Sequence, residues 1–77
     1  LVELHRAKCH ILRGDIGDGM TYAADVLDDL PADQHNASLY EVGRHVIWAV
    51  PAAERRRAEY DELRERLLAL RASLDPR

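Results

Sequence analysis

Gly14-Asp15-Ile16 and Leu30-Pro31 enclose one short amphipathic segment. Glycine readily takes the left-handed conformation that ends a helix, and an aspartate that follows it can cap the next helix. Asp15 and Asp18 stand three positions apart, as in a capping box with aspartate in the usual place of glutamate. Pro31 cannot continue a helix because it lacks a backbone N–H. The stretch therefore predicts a helical hairpin that turns at Gly14.

The two helices of this first hairpin, within residues 1–30, each have one apolar face. Small residues on the second helix permit a close approach to the first, and the short connection predicts that the two helices run antiparallel. The face of the first helix contains Leu1, Leu4, Ile11 and Leu12, and that of the second contains Gly19, Met20, Ala23, Ala24, Val26, Leu27 and Leu30.

A second hairpin is predicted over residues 33–74. Its first helix spans about 33–50, with Asp33 or Asn36 as its cap, and Pro51 either ends that helix or opens the next one. The last helix is predicted over 52–74. The two apolar stripes contain Leu39, Val42, Gly43, Val46 and Val50, then Tyr60, Leu63, Leu67, Leu70 and Leu74.

Every strong signal in the chain has the helical period, which predicts an all-α fold of about four helices in antiparallel hairpins and no sheet. The whole chain, residues 1–77, is then a single helical domain. Leucine-rich spacing in the last helix favours packing within the chain over a coiled-coil dimer, because only about two heptads are present. The predicted core positions are Leu1, Leu4, Ile11, Leu27, Leu30, Val46, Leu63 and Leu67.

The composition is that of a small domain, and we expect part of its stability to come from contacts with a partner or another segment. The 77 residues are 47% hydrophobic and 32% charged, with a net charge of -3. A core of this size rarely supplies more than roughly 3–5 kcal/mol, so burial against a partner or another segment is expected. The chain opens without a methionine or a cap before Leu1, which predicts that a segment precedes it. A cytoplasmic location is expected, because no membrane span or secretory signal is visible and Cys9 has no partner for a disulfide.

No residue pattern specifies a reaction, a metal site or a cofactor. The segment 14–19 lacks the Gly-Lys-Ser/Thr ending of a phosphate loop, and the twelfth position of a calcium loop counted from Asp15 is Val26. His5 and Cys9 share a helix face, but a zinc site needs further ligands, so a packed cysteine beside a helix-edge histidine is favoured. The chain is therefore predicted not to be an enzyme and to need no cofactor.

The charged segments favour solvated faces over a nucleic-acid surface. Arg55-Arg56-Arg57 is the only basic run, and it is interleaved with Glu54 and Glu59 in an acidic chain. Nucleic-acid recognition normally needs a concentrated basic face, so no direct DNA contact is expected from these residues. The aspartates at positions 25, 28 and 29 read as a solvated or partner-facing acidic stripe.

A second apolar patch lies off the main stripe of the third helix. Tyr40, Ile47 and Trp48 turn to its opposite flank, with Arg44 among them. This pattern predicts a helix with neighbours on two sides.

The spacing of small residues and turn residues resembles a tetratricopeptide repeat, a helical hairpin with a period of about 34 residues. Glu3 and Arg6 stand where that pattern prefers tryptophan and leucine, and Ala23 stands where an aromatic residue is usual, so the repeat is degenerate. Residues 30–51 and the charged helix after them resemble a second degenerate unit. The matching positions of the first unit are Ala7, His10, Gly14-Asp15-Ile16, Gly19, Ala23, Val26 and Leu30-Pro31.

Taken whole, the chain is similar to the C-terminal repeat region of actinobacterial helix-turn-helix transcriptional regulators of the XRE type. In that family an N-terminal domain binds DNA, and the repeat region binds a peptide, a protein or a second subunit. The resemblance implies a right-handed tetratricopeptide-like array that serves as a binding or dimerisation module, with the DNA-binding domain outside this chain. A stand-alone adaptor for protein partners is the alternative.

The first helix of each hairpin lines the concave surface of a tetratricopeptide array. The resemblance therefore assigns partner contacts to Lys8 on the first helix and to Tyr40, Arg44 and Trp48 on the third. The alternative is that the flank of Tyr40 packs on the neighbouring hairpin.

Overall fold

Four α-helices form the chain in the computed structural model, which describes residues 2–31 and 35–74. Within these ranges no strand is present, so the predicted all-helical fold is confirmed. None of the described helices is long and apolar enough to cross a membrane. The elements are α1 (Val2–Leu12), α2 (Ile16–Asp29), α3 (Ala37–Trp48), a short 3-10 turn (Ala52–Glu54) and α4 (Ala58–Leu74).

The first hairpin turns at Gly14, as predicted. Gly14 has a φ of 98°, the left-handed conformation that glycine adopts without steric cost. Its backbone N–H donates to the carbonyl of Ile11 at 3.1 Å, and the N–H of Asp15 donates to the carbonyl of His10 at 2.9 Å. These bonds satisfy carbonyls at the end of α1 that have no partner within the helix.

The predicted capping box at the start of α2 is wrong. Asp15 occupies the cap position, but its side chain accepts no cap hydrogen bond, and its φ and ψ of -82° and 59° are not the extended backbone typical of a cap. The carboxylate lies instead 3.9 Å from His10 and 3.8 Å from Arg13, at the end of the preceding helix. Asp15 therefore supports the turn electrostatically from the side of α1.

A close approach of backbones holds α1 against α2. A Cβ atom at Gly19 would lie 2.9 Å from the carbonyl oxygen of Ala7 and 2.7 Å from the Ile11 side chain. No other residue type fits there without moving one of the helices. Because the start of α2 packs on the last turns of α1, the two helices run antiparallel, as predicted.

The second hairpin begins with a capped helix and is also antiparallel. The N–H of Leu39 donates to Asn36 Oδ1 at 2.8 Å, so Asn36 is the cap of α3, whereas Asp33 lies outside the described residues. His35 Nδ1, just before α3, lies 3.1 Å from Ser73 Oγ near the end of α4. Between the middles of the two helices, Leu67 occupies the space that a side chain at Gly43 would fill.

The last helix begins later than predicted, at Ala58 and not at residue 52. Pro51 adopts φ of -59° and ψ of 146°, so the chain leaves the helical conformation there, and residues 52–54 form a single 3-10 turn. The side-chain hydrogen bond and the charge of Glu54 raise the pKa of Arg57 above its ordinary value. The ion pair of Glu54 and Arg57 thus lies in the connection between α3 and α4.

The two hairpins pack with α2 and α4 running in the same direction. Gly17 at the start of α2 lies against Arg57 and Glu59, and Asp28 near its end contacts the guanidinium of Arg66. That last contact is an ion pair and not a hydrogen bond, because the Arg66 Nε–H is not satisfied by the carboxylate. Further contacts join α1 to α3 and α3 to α4.

Most of the predicted core is buried. Leu12, placed by the sequence on the apolar face of α1, is 66% exposed, and Leu30 is only half-buried, so neither is a core residue. Leu1 lies outside the described residues. In α4, Leu63, Leu67 and Leu70 are buried within the chain, whereas Leu68 is 51% exposed. The predicted residues found in the core are Leu4, Ile11, Leu27, Val46, Leu63 and Leu67, joined by Ala7, Met20, Ala23, Ala24, Leu39, Val50 and Leu70.

Two glycines of α2 provide a matched test of this packing. Either glycine replaced by alanine gains intrinsic helix stability, up to about 1 kcal/mol in a helix interior. At Gly17 the new methyl group meets only the ends of Arg57 and Glu59, which can move, so we expect Gly17→Ala to stabilise the fold. At Gly19 it meets the α1 backbone, so we expect Gly19→Ala to destabilise by about 1–3 kcal/mol. Urea unfolding followed by circular dichroism measures both changes, and an equal gain from the two variants would refute the close approach.

Candidate functional site

One flank of α3 presents a row of stacked side chains. Tyr40, Arg44 and Trp48 stand four residues apart and so lie on one face of the helix. The guanidinium carbon of Arg44 is 4.5 Å from the centroid of the Trp48 ring and 5.9 Å from that of Tyr40. Both distances are in the range of cation–π attraction. The row is therefore partly ordered before any partner arrives.

A second row with the same pattern lies on α4. Tyr60, Arg64 and Leu68 are also four residues apart, and they face the α3 row across a groove of about 300 Å³. Leu67 lies between the two rows, and its burial makes it the floor of the groove. We call this recess the α3–α4 groove; its lining is Tyr40, Arg44, Ile47, Trp48, Arg55, Tyr60, Arg64, Leu67 and Leu68.

Sequence reasoning missed the α4 half of this groove. The repeated pattern of tyrosine, arginine and a large apolar residue at intervals of four was visible at Tyr60, Arg64 and Leu68. This pattern was overlooked because the same helix also contains the regularly spaced core leucines and many charged residues, which are the stronger signals in the sequence. Arg55 was also missed as a contributor, because it was read as part of a solvated basic run.

The α3–α4 groove is positively charged. Three arginines line it, and no acidic side chain is among its lining residues in the described part of the chain. Arg44 forms an ion pair with Glu41, with 3.0 Å between Nη1 and Oε1, and Arg55 donates a hydrogen bond to the carbonyl of Val50 at 3.3 Å. Arg64 has no hydrogen bond or ion pair with any residue that the structure describes. Arg64 is therefore available to an external anion.

Large apolar groups stand exposed at the two sides of the groove. Trp48 is 59% exposed and Leu68 is 51% exposed. Burial of a tryptophan removes about 150–250 Å² of surface from water, at roughly 25 cal/mol per Å² of apolar area. Large apolar side chains that are exposed at the border of one groove are typical of interaction sites.

The recess continues toward the other end of the hairpin. Tyr40 also lines a second hollow of about 340 Å³ together with Ala37, Glu41, Arg71 and Leu74. The two recesses share Tyr40 and follow the same pair of helices. A binding surface along the full length of the α3–α4 hairpin is therefore available.

Lys8 lies apart from the other residues predicted to contact a partner. It is half-buried in a recess of about 160 Å³ between α1 and α3. The structure thus brings Tyr40, Arg44 and Trp48 together and leaves Lys8 at a different place. The residues around Lys8 are His5, Glu41, Val42, His45 and Val46.

The groove is lined by side chains that are suited to binding. Guanidinium, phenol, indole and aliphatic side chains recognise anions and apolar surfaces. Among the residues that the structure describes, no group of three His, Cys, Asp or Glu side chains lies close enough to hold a metal ion. The prediction of a packed cysteine is wrong, since Cys9 is exposed on the side of α1 opposite Leu4 and Ile11.

Comparison with known proteins assigns no family to the chain. No family model, no curated protein and no solved structure matches it. The resemblance to tetratricopeptide repeats therefore stays a hypothesis, and the residues of the α3–α4 groove are the basis for a functional proposal.

Trp48 is the only tryptophan of the chain, so its fluorescence reports on the groove. Because its ring is more than half exposed, we expect emission at long wavelength and efficient quenching by acrylamide in a dilute solution of the monomer. Arg44→Ala should increase the quenching further, because the guanidinium covers one part of the ring. Blue-shifted emission that acrylamide barely affects would mean that Trp48 is packed and that the groove is closed.

Proposed function

We propose that this chain is a non-catalytic module that binds a protein or peptide partner through the α3–α4 groove. The observation that carries the proposal is the pair of tyrosine–arginine–apolar rows on facing helices, with Trp48 and Leu68 exposed beside unpaired Arg64. Tryptophan, tyrosine and arginine are the residues most enriched among binding hot spots.

The physical state of these side chains supports binding at low entropic cost. Tyr40 and Arg44 are half-buried, and stacking on Trp48 restricts the Arg44 side chain before a partner arrives. A preordered aromatic anchor loses less conformational freedom on association than a free one. The groove is thus suited to a partner that supplies apolar contacts along the helices.

We further propose that the module belongs to a transcriptional regulator, with its DNA-binding domain outside this chain. The support is the resemblance to the repeat region of actinobacterial XRE-type regulators. The antiparallel course within each hairpin and the parallel course of α2 and α4 are the helix directions that two stacked hairpins of such an array would have. Under this proposal the protein is cytoplasmic, and the module binds a ligand protein, a peptide or a second copy without touching DNA.

A stand-alone adaptor is the second candidate, since the groove is complete within the second hairpin. Its lining comes from α3, α4 and their connection alone, so binding there needs no DNA-binding domain. The full reading frame of the gene separates the two candidates. A helix-turn-helix domain encoded upstream supports the regulator, and its absence supports the adaptor.

Peptide selection tests the binding function directly. We expect the immobilised chain to enrich sequences from a random peptide display library, because the groove offers a preformed set of anchors. Trp48→Ala should weaken the enriched peptides by about 2 kcal/mol or more, the loss typical of a hot-spot residue. Leu12→Ala is the matched control, because Leu12 is similarly exposed but lies on α1.

Two results would contradict the proposed function. One is a library from which nothing is enriched above an unrelated helical protein. The other is a set of enriched peptides that lose affinity equally with Trp48→Ala and Leu12→Ala, which would indicate nonspecific apolar adhesion.

A further inference from the structure

The arginines of α4 and its start differ in whether they pair with another residue of the described chain. Arg57 pairs with Glu54 and Glu59 at the start of the helix, and Arg66 pairs with Asp28 of α2. These ion pairs lie within the fold. Arg64 points to the other side of α4 and lines an apolar groove without any described partner.

The two rows of the groove place these charges between apolar anchors. In each row the arginine is the middle residue, flanked by a tyrosine and by Trp48 or Leu68. Because α3 and α4 run antiparallel, Trp48 lies toward the Tyr60 end of the groove and Leu68 toward the Tyr40 end. The centre of the groove therefore attracts anions while both ends attract apolar side chains.

We propose that the occupant of the α3–α4 groove is an acidic segment of a partner protein that carries an aromatic or aliphatic anchor. This inference rests on the proposed function and deepens it by naming the chemistry of the partner. Carboxylates of the segment pair with Arg64 and with the N–H donors of Arg44 that Glu41 leaves free. The anchor side chain covers Trp48 or Leu68.

The distribution of charge favours an acidic peptide over a nucleic acid. Exposed carboxylates of Glu41, Asp61 and Glu65 stand close to the groove in sequence and on the same two helices. A polyanion would meet these like charges with every unit, whereas a segment that combines carboxylates with an apolar anchor brings fewer negative charges to them. Phosphate binding also needs a broad basic surface, and the net charge here is -3.

A second copy of the chain is a poorer occupant than an acidic peptide. The aspartates of α2 could supply carboxylates, since Asp18, Asp25 and Asp29 are exposed. However, α2 has no large exposed apolar side chain to cover Trp48, because those among the described residues are Val2, Leu12, Trp48 and Leu68. If α2 of a second copy paired its aspartates with the arginines, the apolar ends of the groove would stay uncovered.

Fluorescence anisotropy with labelled synthetic peptides tests the inference on the full chain. The probes are peptides of about eight residues, long enough to span α3 in extended form, in which Glu and Asp surround one Phe or Leu in varied order. The matched probes replace every Glu by Gln and every Asp by Asn. The variants are Arg64→Gln and the control Arg56→Gln, which removes the same charge from an exposed position outside the groove.

We expect at least one acidic peptide to bind, and its amide counterpart to bind about two- to thirtyfold more weakly, the range expected when two exposed ion pairs are lost. Arg64→Gln should weaken the acidic peptide about fivefold, and Arg56→Gln should leave it unchanged. Added salt should weaken the acidic peptide and hardly affect the amide peptide. Circular dichroism of the two variants checks that they are folded.

Other outcomes overturn the inference and show whether the proposed function survives. Equal binding of acidic and amide peptides, lost with Trp48→Ala, would leave a peptide-binding groove without acidic preference. Tighter binding of a single-stranded oligonucleotide that depends on Arg64 would identify a nucleic acid as the occupant. Self-association in sedimentation runs that disappears with Arg64→Gln would identify a second copy. Failure of every peptide, including those from display, would remove the proposed function as well.

Discussion

The packing of Leu67 into the space beside Gly43 is the contact on which the second hairpin and its groove both depend. The missing side chain at position 43 lets α4 approach α3 closely, and Leu67 then forms the floor between the two rows. A larger residue at position 43 would separate the helices and spread the rows apart. Gly19 has the corresponding role in the first hairpin, against the backbone of α1. Each hairpin thus relies on one glycine where its two helices approach closely.

The two hairpins use the same packing device with different results. In the first hairpin the close contact is part of the core shared by all four helices, with Ala7 fully buried. In the second hairpin the residues on the outer side of the contact are left to solvent. The arginines of α4 consequently have two roles. Arg66 joins α4 to α2, whereas Arg64, two positions earlier, faces the open groove. The first hairpin acts as a scaffold, and the second presents the surface.

Periodicity in the sequence predicted the helices, the turn at Gly14 and most of the core, because burial of one helical face is a property that spacing records. Periodicity did not predict the features that depend on the local backbone conformation. The φ and ψ of Asp15 direct its carboxylate to α1, and Pro51 delays α4 to Ala58. Half of the groove was predicted from the α3 flank. The other half depends on which arginines of α4 find partners across the fold, and that is a tertiary property that no spacing within one helix can show.

Chemical-shift mapping shows directly whether a partner binds between the two rows. The indole N–H of the single tryptophan gives one isolated signal at the groove, and the backbone amides report the rest of the chain. When the ¹⁵N-labelled chain is titrated with a selected peptide, we expect the largest shifts at the Trp48 indole and at residues of the two rows, Tyr40, Arg44, Tyr60, Arg64 and Leu68. Shifts centred on α1 and α2, with the indole signal unmoved, would contradict it.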